Sequence, residues 1–217
     1  MKELRYTLVS DGVSDKMLLP ILTWLLRNHE VNCAIQAAWA DFRWLRKPPT
    51  NLAEKIRISL ELYPCDLLFI HRDAEKENPD VRKKEIEKAL QELKRRKCSL
   101  PSAICVIPVR MQEAWFLFDE CALRRAAGNP NGKETLALPS LAKVEEIPDP
   151  KAVLYDLLRK ASGLKGRRLQ QMNVISLVYR IADFIEDFTP LYRLPAFQKL
   201  KAEIADAIMD QRWNKEN

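Results

Sequence analysis

Four apolar residues in a row, Leu67-Leu68-Phe69-Ile70, run straight into His71-Arg72-Asp73-Ala74-Glu75. A strand that is apolar on both faces belongs inside a parallel sheet with helices covering both sides. In such sheets the C-terminal strand ends open into the crevice where ligands bind. Asp73 and Glu75 are two apart, so an extended backbone would direct both carboxylates the same way. Two carboxylates at one strand end repel each other unless a cation lies between them, and Mg2+ takes oxygen ligands of this kind. A polar loop after a strand produces the same string, so the pair alone is a weak metal signature.

The rest of the chain supplies the partners such a strand needs. Arg5 to Ser10 reads as a first strand, followed by a tight Asp11-Gly12-Val13-Ser14-Asp15 connection. A helix then runs from about Asp15 to Asn28, capped by Ser14 and kinked near Pro20. Val31 to Ala38 reads as a second strand. The stretch Asp41 to Pro49 is a loop with Trp44, Arg43, Arg46 and Lys47 in it and Trp39 just before it. Its tryptophans read as packing residues; the other reading is a cationic, aromatic lip able to stack on bases. A helix over about 51–62, another over about 78–97 and a strand from Ala103 to Val109 complete a βαβαβαβ order. All strand C-termini then share one edge, to which Asp11 and Asp73 both belong.

After Val109 the alternation stops. Helices are expected over about 113–127, 150–162, 173–188 and from Pro195, with a basic loop Gly163-Leu164-Lys165-Gly166-Arg167-Arg168 and a polar tail that frays from Gln211. The expected organisation is an α/β core over residues 1–112 with a mainly helical extension over 113–217 packed on it.

Composition excludes more than it selects. The five cysteines are odd in number and scattered without a C-x-x-C pair, which argues against a zinc ribbon and a disulfide framework. Reduced thiols, a charged N-terminus and the lack of an 18-residue apolar run point to a cytoplasmic protein with no membrane span. No G-x-x-x-x-G-K-[ST] string is present, so any ATPase would be a separate partner. A formal net charge of +6 permits an anionic partner such as nucleic acid without requiring one.

A strand ending in acid-Gly, a Ser-Asp opening a helix and a later strand ending in D-x-[D/E] together resemble the TOPRIM domain of topoisomerases, primases and several nucleases. Asp11-Gly12 stands where that family has Glu-Gly, and Asp73-Ala74-Glu75 where it has Asp-x-Asp. Pro108 to Trp115, Asp149-Pro150-Lys151 and Leu194-Pro195-Ala196-Phe197 are similar to a small stand-alone bacterial branch often linked with phage defence. The resemblance implies a Rossmann-like parallel sheet of about four strands flanked by helices. It also implies Mg2+-dependent (or Mn2+-dependent) chemistry on phosphodiesters. Carried over, Asp73 and Glu75 hold the metal and Asp11 acts as a further ligand or general acid/base. Asp11 is one methylene shorter than the family's Glu, and Glu75 one longer than its Asp.

Further candidates follow from position. Asp15 is a nearby spare carboxylate, also explained as a helix N-terminal acid. Glu113 either reaches the site or caps a helix. His71 shares a face with Asp73 and reads as a neutral buried histidine, or one paired with an acid, ahead of a ligand. Lys151, Arg167 and Arg168 are candidate phosphate contacts, with surface solvation as the plain alternative. Two functions follow: a Mg2+-dependent nuclease of phage defence acting on DNA or RNA, or a catalytically weak module that binds nucleic acid or another defence-system protein.

Overall fold

Apolar strands alternating with amphipathic helices fold as βαβαβαβ in the computed structural model, which describes residues 3–214. The order is β1 (Glu3–Val9), a 3-10 turn (Val13–Met17), α1 (Leu18–Asn28), β2 (Ala34–Trp39), α2 (Leu52–Leu62), β3 (Leu67–His71), α3 (Pro79–Arg95) and β4 (Ser102–Val106). Among the described residues the four strands form one parallel sheet in the order β2-β1-β3-β4. The chain leaves β1 for one side of the sheet and returns to its other side as β3. The point where strand order reverses therefore lies between the C-terminal ends of β1 and β3, where open α/β sheets bind ligands. The expected α/β architecture is the observed one.

Each face of the sheet has its own cover. Val9, Leu68 and Ile70 pack with Ala53 and Ile56 of α2 and Ile86, Ala89 and Leu93 of α3. On the other face Tyr6 meets Phe69 edge-on with ring centroids 5.3 Å apart. The Tyr6 hydroxyl donates to the Leu19 carbonyl or shares its proton with Thr23 Oγ1, each at 2.8 Å, so a buried phenol is satisfied by α1. Every residue of β3 is buried, as its apolar run requires.

Local chemistry explains where the elements depart from expectation. Pro20 is the third residue of α1, within the first turn whose N–H groups have no partner inside the α-helix, so the ladder of α1 loses no bond to it. Val31 closes α1, its N–H donating to the Leu26 carbonyl, and β2 begins three residues later. β4 stops at Val106, short of Pro108, which has no N–H to extend the ladder. The helix expected over 113–127 is two pieces, a 3-10 turn (Gln112–Phe116) and α4 (Glu120–Ala126). Asp119 divides them by accepting from the Ala122 N–H at 2.9 Å.

The chain divides into two compact units, 1–107 with 199–217, and 108–198. In the second unit α4, α5 (Pro150–Ser162) and α7 (Val174–Phe184) pack on one another. A short α6 (Gly166–Gln170) follows Gly163, whose positive φ of 65° ends α5. Trp115 is fully buried and meets Phe197 edge-on at 5.2 Å. Within the first unit, Glu203 of the last helix, α8 (Pro195–Gln211), accepts from the Cys105 N–H and pairs with Lys83. The polar tail beyond residue 214 lies outside the described residues. No helix among them is long and apolar enough to cross a membrane.

Phe69 is fully buried at the centre of the sheet. Phe69→Ala is expected to cost about 3–5 kcal/mol in urea unfolding. A loss below about 1 kcal/mol would contradict this packing.

Candidate functional site

Asp11 and Asp73 follow the two strands that flank the reversal point, and the loops carrying them are held by directed contacts. The β1 loop closes through Gly12 and Asp15. The Gly12 N–H donates to Asp15 Oδ2 at 2.8 Å, and the Asp15 N–H donates to the Gly12 carbonyl at 3.3 Å. A Cβ on Gly12 would lie 3.3 Å from Asp15 Oδ1, closer than most side-chain contacts, so glycine leaves room for the carboxylate. This reciprocal cap takes the place of the expected Ser14 cap, and it buries Asp15.

The β3 loop does not continue the strand. β3 ends at His71, the Glu77 N–H closes a turn onto the Ala74 carbonyl at 2.9 Å, and Glu75 takes a left-handed φ of 56°. Strand alternation therefore stops before Asp73, and the extended-backbone reason for pairing Asp73 with Glu75 does not apply. Arg82 of α3 fastens this loop. Its Nε donates to the Asp73 carbonyl at 3.1 Å, and its guanidinium lies 3.6 Å from Glu75 Oε2 and 2.9 Å from Glu85 Oε1.

A chain of alternating charges runs along this edge. Lys55 Nζ sits 2.6 Å from Asp11 Oδ1, and Arg72 Nε 3.2 Å from Asp11 Oδ2. Arg72 then reaches Glu85, and Glu85 reaches Arg82. Partial burial would raise the Asp11 carboxyl. The hydrogen-bonded Lys55 ammonium and the Arg72 guanidinium outweigh it and hold the group below the ordinary carboxylate value.

His71 is the buried polar group at the centre. Its Nδ1 lies 3.0 Å from the Val106 carbonyl. A carbonyl only accepts, so Nδ1 carries the proton and Nε2 faces the site. Nε2 lies 3.5 Å from Asp73 Oδ1 and 4.0 Å from Asp15 Oδ1. A bare lone pair there would face two carboxylate oxygens. Nε2 is thereby held facing both carboxylates. A backbone carbonyl that fixes the far nitrogen of an imidazole is the outer-shell arrangement common around metal-binding histidines.

Among the described residues no three or more His, Cys, Asp or Glu side chains stand together as a metal-ligand set. Mg2+ does not demand one, because it keeps several waters and is often held by one or two carboxylates together with substrate phosphates. Asp15 and Asp73 are the two carboxylates that approach one nitrogen, His71 Nε2. Asp11 and Glu75 present their carboxylates to Lys55, Arg72 and Arg82.

Glu113 and Lys151 belong to the second unit. Glu113 is 1% exposed, with Lys151 Nζ 3.2 Å from its Oε1. The contact is a charge pairing and not an aligned hydrogen bond. Lys151 is thus the counter-ion of a buried carboxylate. Arg167 and Arg168 lie exposed on α6.

Lys55 and Arg82 were not among the residues that the sequence singled out. Lys55 is 44 residues from Asp11 and reads locally as an ordinary residue of a helix face. Comparison with protein-family models, curated proteins and solved structures found no match to this chain.

A carboxyl depressed in the folded state contributes stability above its unfolded pKa and loses it as pH falls through the folded pKa. Asp11 therefore contributes at neutral pH and ceases to in acid. Lys55→Met should move the Asp11 midpoint upward in a carboxyl-carbon NMR titration; an unmoved midpoint would show that Lys55 does not hold the group down.

Proposed function

We propose that the edge formed by the ends of β1 and β3 is a divalent-metal-dependent phosphodiesterase site, acting on DNA or RNA by water attack at phosphorus. The observation that carries this reading is the pair Asp15 and Asp73 turned to His71 Nε2 at the reversal point of the sheet. The order of the acid-Gly, Ser-Asp and D-x-E motifs, which resembles the TOPRIM domain, supports it independently.

Asp73 and Asp15 would hold Mg2+ or Mn2+, with the waters and substrate phosphate completing its shell. Bound there, the cation would polarise the phosphoryl oxygen and lower the pKa of a water. The chain's own residues supply the rest. His71 Nε2, oriented by the Val106 carbonyl, is placed to accept a proton from the attacking water. Lys55 and Arg72, paired with Asp11, place donors at the edge that a substrate phosphate would meet. Attack forms a P–O bond to the water oxygen and breaks the P–O bond to the ribose or deoxyribose oxygen, which takes up a proton from solvent water while His71 holds the one from the attacking water. Phage defence is the setting that the motif order favours, with a separate ATPase or other defence-system protein as partner.

A second reading rests on the same charges. Both oxygens of Asp11 are engaged by cations and Glu75 faces Arg82, which suits a catalytically weak module that binds nucleic acid or a protein. Asp73→Ala separates the readings. The nuclease reading expects a fall in cleavage of roughly 100-fold or more, with the thermal midpoint nearly unchanged. It also expects a Mg2+ or Mn2+ heat of binding, with a single-stranded oligonucleotide present, that disappears in the variant. Full cleavage by Asp73→Ala, or metal-indifferent binding of the oligonucleotide without cleavage, would reject it.

A further inference from the structure

We infer that the loop after β2 is a binding lip for single-stranded nucleic acid, with an unpaired base stacked on Trp44 and the neighbouring phosphates met by Arg46 and Lys47. The inference rests on the phosphodiesterase reading only for its choice of nucleic acid as occupant.

The loop is tied to the proposed site at both ends. Where it leaves β2, Trp39 Nε1 donates to Ser10 Oγ at 2.9 Å, and the Ala40 N–H donates to the Leu8 carbonyl at 2.9 Å. Where it enters α2, Lys55 grips Asp11. Residues 40–51 thus depart from beside Ser10 and return beside Asp11. All of these residues belong to the first unit.

Trp44 stands out among the tryptophans. Trp115 and Trp213 are buried, and Trp39 is half-buried with Arg43 lying 5.5 Å above its ring. The packing role expected of the loop tryptophans thus fits Trp39. Trp44 is 62% exposed. Its ring is nevertheless steadied: Nε1 reaches the Tyr63 hydroxyl at 3.5 Å, and that hydroxyl donates to the Asp41 carbonyl at 3.2 Å. A large, positioned and exposed π-face is what base stacking uses, and it is sequence-tolerant because every base has such a face.

Charge selects the occupant. Arg43 is committed to Asp41 through two bonds of 2.9 and 2.6 Å. Arg46 and Lys47 are exposed, and neither makes an ion pair among the described residues. An apolar protein partner would not call for these cations, whereas a phosphate backbone would. Bases in a duplex are already stacked on one another, so a single strand fits the lip and a duplex does not.

The test is fluorescence anisotropy of a labelled mixed-sequence DNA oligonucleotide, its RNA equivalent and the matching duplex, with EDTA present so that no cleavage intervenes. Trp44→Ala is expected to weaken single-strand binding at least about fivefold. Trp44→Phe, which keeps a ring, should retain most of the affinity. The double variant Arg46→Ala/Lys47→Ala should lower the slope of log affinity against log salt by about 1.4. Equal affinity of Trp44→Ala and wild type, a duplex bound as tightly as the single strand, or no binding of either, overturns the inference. Metal-dependent cleavage without a Trp44 effect on binding overturns the lip alone. Trp44-dependent binding without cleavage under any divalent metal supports the lip and overturns the phosphodiesterase reading.

Discussion

The parallel pairing of β1 with β3 is the constraint on which the first unit depends. It joins strands whose connecting chain runs out to β2 and back, and so creates the reversal point in the sheet. Both strands are buried on two faces, so the pair forms only when α1 covers one side and α2 with α3 the other. Their C-terminal ends cannot extend the ladder without placing charged residues in the core. The chain turns at Asp11 and at Arg72-Asp73, and the polar groups that follow are delivered to one edge.

What holds that edge is electrostatic ordering. The alternation of Lys55, Asp11, Arg72, Glu85, Arg82 and Glu75 ties two loops to α2 and α3. Partly exposed pairs of this sort contribute modestly one by one, and their main effect here is to orient. His71 differs because it is buried, and its tautomer is set by one backbone carbonyl. The same carbonyl, of Val106, also accepts the Arg72 N–H, so the β3–β4 pairing fixes both the imidazole and the start of the loop. The proposed chemistry thus leans on sheet registration as much as on the acids.

Much of this was legible from residue order. The apolar run 67–70 announced a central strand, and the helices expected over about 51–62 and 78–97 start where Asn51 and Asn78 cap them, at 2.8 and 2.9 Å. The burial of His71 followed from its place at the end of β3, on the same face as Phe69. The extended-backbone argument for Asp73 and Glu75 fails because two-residue periodicity holds only while the backbone stays extended, and the strand ended at His71. The packing role expected of Trp44 misled for a related reason. Hydrophobicity predicts burial on average, but an indole in a loop is buried only if neighbouring elements happen to cover it.

The amino-acid order by itself determined the alternation of strands and helices, the parallel sheet and the acids at its C-terminal edge, because periodicity and capping are local properties of a few consecutive residues. Only the tertiary structure decided which charges meet. Lys55 on Asp11, Arg82 on Glu75, and Asp15 with Asp73 at one nitrogen of His71 join residues many positions apart. Coulombic and hydrogen-bonding contacts act over a few ångströms, and those distances exist only after the sheet has closed.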